Sequence, residues 1–341
     1  EVVMDQGLVA NYDDNGNGTN DPGTGANNGV DRDLNQTLQT LQPYVQLNIK
    51  PIAGLTLTPG IRYSWFDRNV NALVNIKTGQ PQAYDNKFHS WLPSMEAHYE
   101  ISPNWAAYAQ VAKGFLAPNE NFFTRNNPNT TSISPETTLN YQAGTTWHTK
   151  ALSLSLDGYI IDFSNFIQVV GGGNNAYYTN LGGVTYKGLE AEGTLAVAQG
   201  VSVYANGSIN SALTQATALN PQQSWVANAP KATAAGGLIY SKGGIYASLL
   251  AKWIGPRYGS DGEELNPFAT ADISFGFDLG SLFPGIKGGK LKININNITD
   301  NTTIINDNGT TVANNPATGN PDNLYWTNAG RSAFATLEFK L

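Results

Sequence analysis

Apolar and polar residues alternate with period two along almost every hydrophobic segment of this 341-residue chain. In one such segment Leu291 and Ile293 occupy one face, and Lys292 and Asn294 occupy the other. This alternation is typical of β-strands whose two faces meet different environments, and helical periodicity is nearly absent. We predict about thirteen strands, at 37–50, 54–67, 86–100, 104–117, 136–149, 151–163, 183–198, 201–212, 229–241, 244–254, 268–279, 289–298 and 331–341, and a fourteenth at 1–10.

The connections between these strands alternate in length. Short turns such as Ser102–Pro103, Gln199–Gly200 and Lys242–Gly243 alternate with long segments rich in Asn, Gly, Pro and Thr. The long connections are 11–36, 68–85, 118–135, 164–182, 213–228, 255–267 and 299–330. All long loops then lie at one end of the sheet, as in outer-membrane barrels with short periplasmic turns and long extracellular loops. We therefore predict an all-β chain that forms a transmembrane antiparallel up-and-down β-barrel, with about 13–14 strands in this chain.

Strand length and aromatic placement agree with a wall that spans a membrane. Strands of about 10–15 residues reach or exceed the roughly 9–11 that cross hydrocarbon at a tilt. Tyr99, Trp105 and Trp147 lie within a few residues of short turns, and Trp65 and Trp253 lie just before long loops. Because Trp and Tyr are enriched at both membrane interfaces, we expect two aromatic girdles. The alternative is that these rings form the core of an ordinary β-sandwich.

The composition excludes several classes of function. A formal net charge of -7 without any Lys/Arg cluster leaves no basic surface for nucleic acid. The chain has no cysteine, which removes disulfides, thiolate metal sites and iron–sulfur clusters. It has no apolar run long enough for a transmembrane helix. It also lacks a Gly-x-Ser-x-Gly elbow and a Ser/His/Asp constellation, so we do not expect an enzyme.

Charged residues lie on the strand faces opposite the apolar ones. An Arg or Lys that faced lipid at mid-depth would cost about 2–4 kcal/mol. These residues are therefore predicted to face a lumen, which is wide enough in a barrel of about fourteen or more strands to hold water or a plug. The predicted lumen-facing residues are Arg62, Glu96, His98, Glu100, Asp157, Glu190, Glu192, Lys252, Asp272, Asp278 and Lys292.

Four segments, in order, resemble the TonB-dependent outer-membrane receptors, which transport siderophores and related scarce nutrients. They are Val111–Pro118, with Gly-Phe-x-Ala-Pro before a long loop, Asn180–Glu192, with a Gly-x-Glu-x-Glu strand, Leu291–Asp300, with an Asn-hydrophobic-x-Asp exit, and Gly330–Ser332 before the last strand. The resemblance extends over roughly residues 37–341. Within the family, Ser90–Ser94 and its surroundings look most similar to ferric-chelate receptors.

The resemblance implies a fold, a partner and a location. Family members have about 22 strands around a plug, so residues 1–341 are expected to be the C-terminal portion of a single transmembrane barrel domain, without the plug and first strands. The implied function is active transport of a metal chelate, foremost a ferric siderophore, captured by the extracellular loops. The implied partners are outer-membrane lipid, the chelate and the energy-coupling protein TonB, which acts through the plug. The implied location is the outer membrane of a Gram-negative cell.

Basic and aromatic residues in or near the long loops are the candidates for ligand binding. Arg suits an anionic chelate through bidentate contacts, and aromatic rings offer flat apolar contact. The candidates are Arg68, Phe122, Phe123, Arg125, Tyr177, Tyr178, Arg257, Tyr258, Tyr325, Trp326 and Arg331. The alternative for each of them is that it packs the loops together.

One loop resembles half of a calcium site. Asp13, Asn15 and Asn17 precede Gly18 with the spacing that begins a calcium loop. The bidentate acid that completes the pattern is missing, because its position is occupied by Thr24. The alternatives are a Ca²⁺ ion in this extracellular loop and a solvated Asn/Gly-rich loop. We expect no other metal site and no cofactor.

Two other functions remain open at this point. A passive porin of fourteen strands would be complete as given and would conduct without a plug. A secreted adhesive or structural β-protein would be soluble without detergent.

Overall fold

A computed structural model describes residues 2–5, 9–10, 30–74, 80–119, 133–170, 177–180, 182–216, 221–259, 262–283, 288–312 and 322–339. The strands are β1 (Val2–Asp5), β2 (Val9–Ala10), β3 (Val30–Leu41), β4 (Tyr44–Gln46), β5 (Ile49–Ile52), β6 (Leu55–Val74), β7 (Gln82–Ser102), β8 (Trp105–Leu116), β9 (Glu136–His148), β10 (Leu152–Ser164), β11 (Ile167–Val170), β12 (Tyr177–Asn180), β13 (Gly183–Ala198), β14 (Val201–Thr214), β15 (Ala232–Lys242), β16 (Ile245–Ile254), β17 (Arg257–Tyr258), β18 (Glu264–Leu265), β19 (Phe268–Asp278), β20 (Lys290–Asn296), β21 (Ile304–Val312), β22 (Asp322–Thr327) and β23 (Ser332–Glu338). A single helical turn, α1 (Leu279–Leu282), begins after Asp278, whose carboxylate accepts from the amides of Gly280 and Ser281. Within the described ranges, no helix is long and apolar enough to cross a membrane.

The long strands form one antiparallel meander in which sequence neighbours pair. Its order is β1 and β2, then β3, β6, β7, β8, β9, β10, β13, β14, β15, β16, β19, β20 and β23. β4 and β5 continue β3 along the same side of β6, so the segments occupy fourteen positions. The predicted all-β, antiparallel up-and-down architecture with 13–14 strands is confirmed. Among the described strands, β23 pairs only with β20, and β1 pairs only with β3.

The predicted short turns are present, and two of them depend on glycine. Gly54 and Gly200 have φ angles of +79° and +81°, in the left-handed region that residues with a Cβ avoid. A Cβ at Gly54 would also lie 2.8 Å from the carbonyl oxygen of Glu100. These turns join β5 to β6 and β13 to β14 at the same end of the sheet.

The prediction of a loop at 68–85 is wrong, because β6 and β7 continue there as one hairpin. Their pairing extends to Ala72 and Gln82. The period-two pattern persists through Val70 and Ala72, which are fully buried and pack with Tyr84. The many polar residues of this segment concealed the continuation of the strands.

Three further predicted loops contain short hairpins. β11 pairs with β12 inside 164–182, β17 with β18 inside 255–267, and β21 with β22 inside 299–330. The predicted strand 37–50 starts earlier, at Val30, and is interrupted at Pro43, which has no backbone N–H to donate to β6.

Buried apolar residues gather at the end of the sheet that carries the long loops. In the described part of the chain they include Val70, Ala72, Pro118, Ile133, Val184, Ala212 and Leu265. The middle of the sheet instead exposes its apolar face, with Leu156 at 52%, Leu189 at 53% and Ile209 at 61% of their surface accessible. A sandwich would bury this face against a second sheet. An exposed apolar band is what a membrane-spanning wall requires.

Candidate ligand-binding site

The strand register places the predicted lumen-facing charges on one face of the sheet. Across successive strands Glu96 lies opposite Gln110, Gln110 lies opposite Gln142, and Asp157 lies opposite Glu190. The apolar band lies on the other face. The charges that share the polar face are Arg62, Glu96, His98, Glu100, Asp157, Glu190, Glu192, Lys252, Asp272, Asp278 and Lys292.

Hydrogen bonds cross the strands on this polar face. Gln110 Nε2 donates to Gln142 Oε1 at 2.7 Å, and Gln142 Nε2 donates to Asp157 Oδ1 at 3.1 Å. Further along the wall, the Tyr159 hydroxyl donates to Asn210 Oδ1 at 2.9 Å. The side chains of neighbouring strands thus hold one another in place, which makes the face a pre-arranged polar surface.

The polar face is acidic over the strands β7, β8, β9, β10, β13 and β14. Its carboxylates there include Glu96, Glu100, Asp157, Glu190 and Glu192, and the described part of these strands places no Lys or Arg on the same face. Such a stretch of wall attracts cations or a basic polypeptide segment.

At the loop end, Arg257 is almost completely buried, with 2% of its surface exposed. Its Nη2 donates to the carbonyl oxygen of Ile304 at 2.8 Å, its Nε to that of Ile305 at 3.1 Å, and its Nη1 to that of Asn266 at 3.2 Å. The guanidinium carbon lies 5.1 Å from the ring centre of Phe268. Burial lowers the pKa of Arg257, but an arginine stays charged in proteins. Arg257 therefore ties the β17–β18 hairpin to the β21–β22 hairpin.

A second cation, Lys231, joins two loops beside Arg257. Its Nζ donates to the Tyr258 hydroxyl at 2.9 Å and lies 4.3 Å from the centre of that ring and 5.7 Å from the Trp225 ring. Trp225 is itself held by a hydrogen bond of 2.7 Å from its Nε1 to the carbonyl oxygen of Ala229. The hydrogen bond with Tyr258 raises the pKa of Lys231. The sequence singles out neither Lys231 nor Trp225, because their shared neighbour Tyr258 is about 30 positions away in the chain.

Two more buried polar side chains anchor the loops of the preceding strands. Arg68, with 7% exposed surface, donates from Nη1 to the carbonyl oxygen of Pro118 at 2.7 Å and lies 5.0 Å from the ring centre of Phe66. Glu136, at the start of β9, accepts from the amide of Ile167 at 2.6 Å. Each contact joins the loop end of one strand to a neighbouring connection.

The motif at the exit of β20 forms a hydrogen-bond network. Asn297 Nδ2 donates to the carbonyl oxygens of Asn301 and Ala329 at 2.9 Å and 2.8 Å, while its Oδ1 accepts from the Asn301 amide at 3.0 Å. Asp300 Oδ1 accepts from the backbone amide of Arg331 at 2.8 Å. The last long connection is therefore closed at its base by the residues that carried the resemblance.

The predicted ligand-binding residues occupy three kinds of position. Arg68 and Arg257 are buried and donate to backbone carbonyls. The half-buried candidates are Tyr178, Tyr258 and Tyr325. The exposed candidates are Tyr177, Trp326 and Arg331.

Some predictions lie outside the described residues. These are the ligand candidates Phe122, Phe123 and Arg125, and the calcium-loop residues Asp13, Asn15 and Asn17. In the part of the chain that the structure describes, no group of three or more His, Asp or Glu side chains is placed to hold a metal ion.

The family described as "TonB dependent receptor-like, beta-barrel" matches residues 4–298. The chain belongs to the TonB-dependent receptor family. Members of this family are outer-membrane proteins of Gram-negative bacteria, and the family comprises receptors and transporters rather than enzymes. The resemblance that the four motifs indicated is confirmed.

Solved structures of TonB-dependent receptors share the fold. The ferric yersiniabactin uptake receptor FyuA from Yersinia pestis is 18% identical, with a TM-score of 0.65 over 89% of this chain and 46% of its own. The ferric-catecholate import receptor Fiu from K12 E. coli is 16% identical, with a TM-score of 0.64 over 90% of this chain and 45% of its own. The copper transporter OprC is 15% identical, with a TM-score of 0.70 over 89% of this chain and 48% of its own. The chain thus spans about half the length of these structures.

Proposed function

We propose that this TonB-dependent receptor takes up a metal chelate across the outer membrane, and that the chelate is a ferric siderophore. The observation that carries the proposal is the two-faced wall, with an exposed apolar band on one face and charged and hydrogen-bonded polar side chains on the other. Such a wall separates lipid from a polar passage. Family membership favours a receptor over a passive porin or a secreted adhesive protein.

The proposal of a metal chelate rests on the solved structures that share the fold. FyuA is a ferric yersiniabactin uptake receptor, Fiu is a ferric-catecholate import receptor, and OprC is a copper transporter. Iron is the commoner cargo among them, and the Ser90–Ser94 segment resembles ferric-chelate receptors.

Ligand contact is assigned to the exposed residues of the loop end. Trp326, 60% exposed, offers an apolar plane for the chelate, and Arg331 offers a cation for its anionic groups. Arg68 and Arg257 act instead as positioning residues, because both are buried and donate to loop carbonyl oxygens.

The remainder of the transport machinery is assigned to the rest of the receptor. We assign residues 1–341 to the C-terminal portion of the barrel wall, since Leu291–Asp300 and Gly330–Ser332 resemble the last strands of the family's barrel. The chain spans about half of each solved neighbour. The plug would then lie against the acidic stretch of the polar face, and TonB would act on the plug.

Growth under iron restriction tests the proposal. A strain that lacks its own siderophore receptors and expresses the full-length receptor should grow on at least one ferric siderophore from a panel, and only when TonB is present. Trp326→Ala should weaken binding of that chelate about tenfold or more in calorimetry, because a stacked aromatic contact is lost. Trp91→Ala is the matched control, since Trp91 is 58% exposed but lies on the apolar face.

Two outcomes would refute parts of the proposal. Uptake of cobalamin, a sugar or copper without uptake of any ferric chelate would remove the iron assignment. Growth that persists without TonB would remove the active-transport assignment and favour a passive pore.

A further inference from the structure

A groove lies on the apolar face of the sheet, across strands β8 to β14, near the end that carries the short turns. Its volume is about 950 Å³, which is within the range of small-molecule pockets, roughly 300–1,000 Å³. Its floor is formed by Ala191, Gly193, Ala205 and Gly207, and Leu156 lies beside them. Ser155, Glu192 and Asn206 of the polar rows also line it, and none of its lining residues belongs to the loop end.

The strand register explains why the surface is indented here. Small residues lie opposite one another on β13 and β14, so that two adjacent rows carry almost no side chain. On the turn side these rows are bordered by Leu195 and Val203, which face each other. On the other side they are bordered by Leu189 and Ile209, which are 53% and 61% exposed. The rows of large side chains form the two rims of the groove.

One end of the groove lies at the level of the lipid headgroups. Trp105 and Trp147 line that end, face each other in the register and are 47% and 49% exposed. Both adjoin short turns, whereas Gly193 and Ala205 lie further inside their strands. Because Trp side chains prefer the membrane interface, the groove runs from the periplasmic headgroup level into the hydrocarbon.

The length of the groove fits one lipid chain. From β8 to β14 the meander has four strand spacings, which at about 4.8 Å each give roughly 19 Å. One leaflet of hydrocarbon is about 15 Å thick, half of the roughly 30 Å core. A chain that lies obliquely in the groove can therefore reach from the interface to the bilayer centre.

A positive charge stands at the headgroup end. Lys150 is exposed in the turn between β9 and β10, three positions after Trp147. A lysine at this level attracts the phosphate of an anionic lipid. The groove is also continuous with the apolar band that meets the bilayer, so lipid reaches it without any opening of the fold.

We propose that the groove binds an acyl chain of an anionic phospholipid of the periplasmic leaflet, with the lipid phosphate beside Lys150. A second copy of the chain is a poorer fit, because a neighbouring sheet would meet the rims at Leu189 and Leu195 before it reached the floor. The inference does not depend on what the receptor transports.

Native mass spectrometry of the full-length receptor tests this site. Purified in mild detergent and supplied with phosphatidylglycerol, the receptor should retain one lipid molecule. Ala205→Leu and Ala191→Leu each fill the floor and should lower retention about tenfold, because contact with roughly two methylene groups is lost. Ala335→Leu is the matched control, since it makes the same change on the apolar face of β23, away from the groove.

The headgroup contact has its own variant. Lys150→Gln should lower the retention of phosphatidylglycerol more than that of phosphatidylcholine, because the choline cation of phosphatidylcholine offsets the charge of its phosphate and repels Lys150. Equal retention by the Ala205→Leu and Ala335→Leu receptors would overturn the site. A receptor dimer that Ala205→Leu dissociates would overturn it as well, since the occupant would then be a second copy. An unchanged lipid preference in Lys150→Gln would overturn the role of Lys150.

Discussion

Replacing Arg257 by Ala should loosen the contact between two loop hairpins without changing the membrane-spanning wall. The variant removes three hydrogen bonds to the carbonyl oxygens of Ile304, Ile305 and Asn266, at a site with 2% exposure. A hydrogen bond from a charged group contributes about 1.5–3 kcal/mol, and the cost of burying the guanidinium offsets part of the sum. We expect the free energy that opens the β21–β22 hairpin to fall by about 2–4 kcal/mol.

Hydrogen exchange measures this loss directly. At 1.4 kcal/mol per factor of ten, amide exchange in the β21–β22 hairpin should accelerate roughly 30- to 700-fold. The β17–β18 hairpin should show the same change, because Arg257 belongs to it and holds Asn266 beside it. Exchange in the middle of β13 and β14 should be unaltered. Affinity for the chelate should fall only because the loosened β21–β22 hairpin holds Trp326 less firmly in place.

Arg331→Ala provides the matched control. Arg331 is an exposed arginine of the same loop end, with a single ion pair of 3.8 Å to Asp300. Exposed pairs of this kind contribute about 0–1 kcal/mol, so exchange in both hairpins should change by less than about tenfold. If Arg257→Ala leaves the exchange of the β21–β22 hairpin at the level of the unaltered receptor, the assignment of Arg257 as a loop tether is refuted.

Two further predictions concern the loop anchors. Glu136→Ala should accelerate exchange in the β11–β12 hairpin by the equivalent of about 1–3 kcal/mol, because the half-buried Ile167 amide loses its acceptor. Glu136→Gln keeps an acceptor and should have a smaller effect. Equal effects of the two variants would contradict the role of that hydrogen bond. Asn297→Ala should lower the temperature at which the folded barrel loses its fast mobility in unboiled gels, because its bonds to Asn301 and Ala329 close the last long connection. An unchanged transition temperature would show that the hydrogen bonds of Asn297 do not stabilise the folded barrel.

The wall was predictable because its signal is local. Period-two alternation and tight turns are properties of neighbouring residues, and the register that sets the faces follows from them. The segment 68–85 shows the limit of this reasoning. Its polar composition suggested a loop, but Val70 and Tyr84 pack against each other across the hairpin and form a small apolar cluster.

The loop end was less predictable because its contacts join residues that are distant in sequence. Arg257 bonds to carbonyl oxygens 47 and 48 positions away, and Arg68 to one 50 positions away. An arginine in a loop suggests an exposed ligand contact, and only the fold shows that backbone oxygens surround it. Lys231 lay at the edge of a predicted strand, where its aromatic neighbours could not be foreseen.

The most direct test of the two-faced wall is a scan of single spin labels along β13, with the full-length receptor in phospholipid bilayers. This chain has no cysteine, so each introduced cysteine is unique within it. Labels at Leu189 and Ala191 should show high accessibility to oxygen, which concentrates in lipid, and labels at Glu190 and Glu192 should show low accessibility. Equal oxygen accessibility at the four neighbouring positions, or the reverse order, would contradict the assignment of lipid to one face and a polar passage to the other.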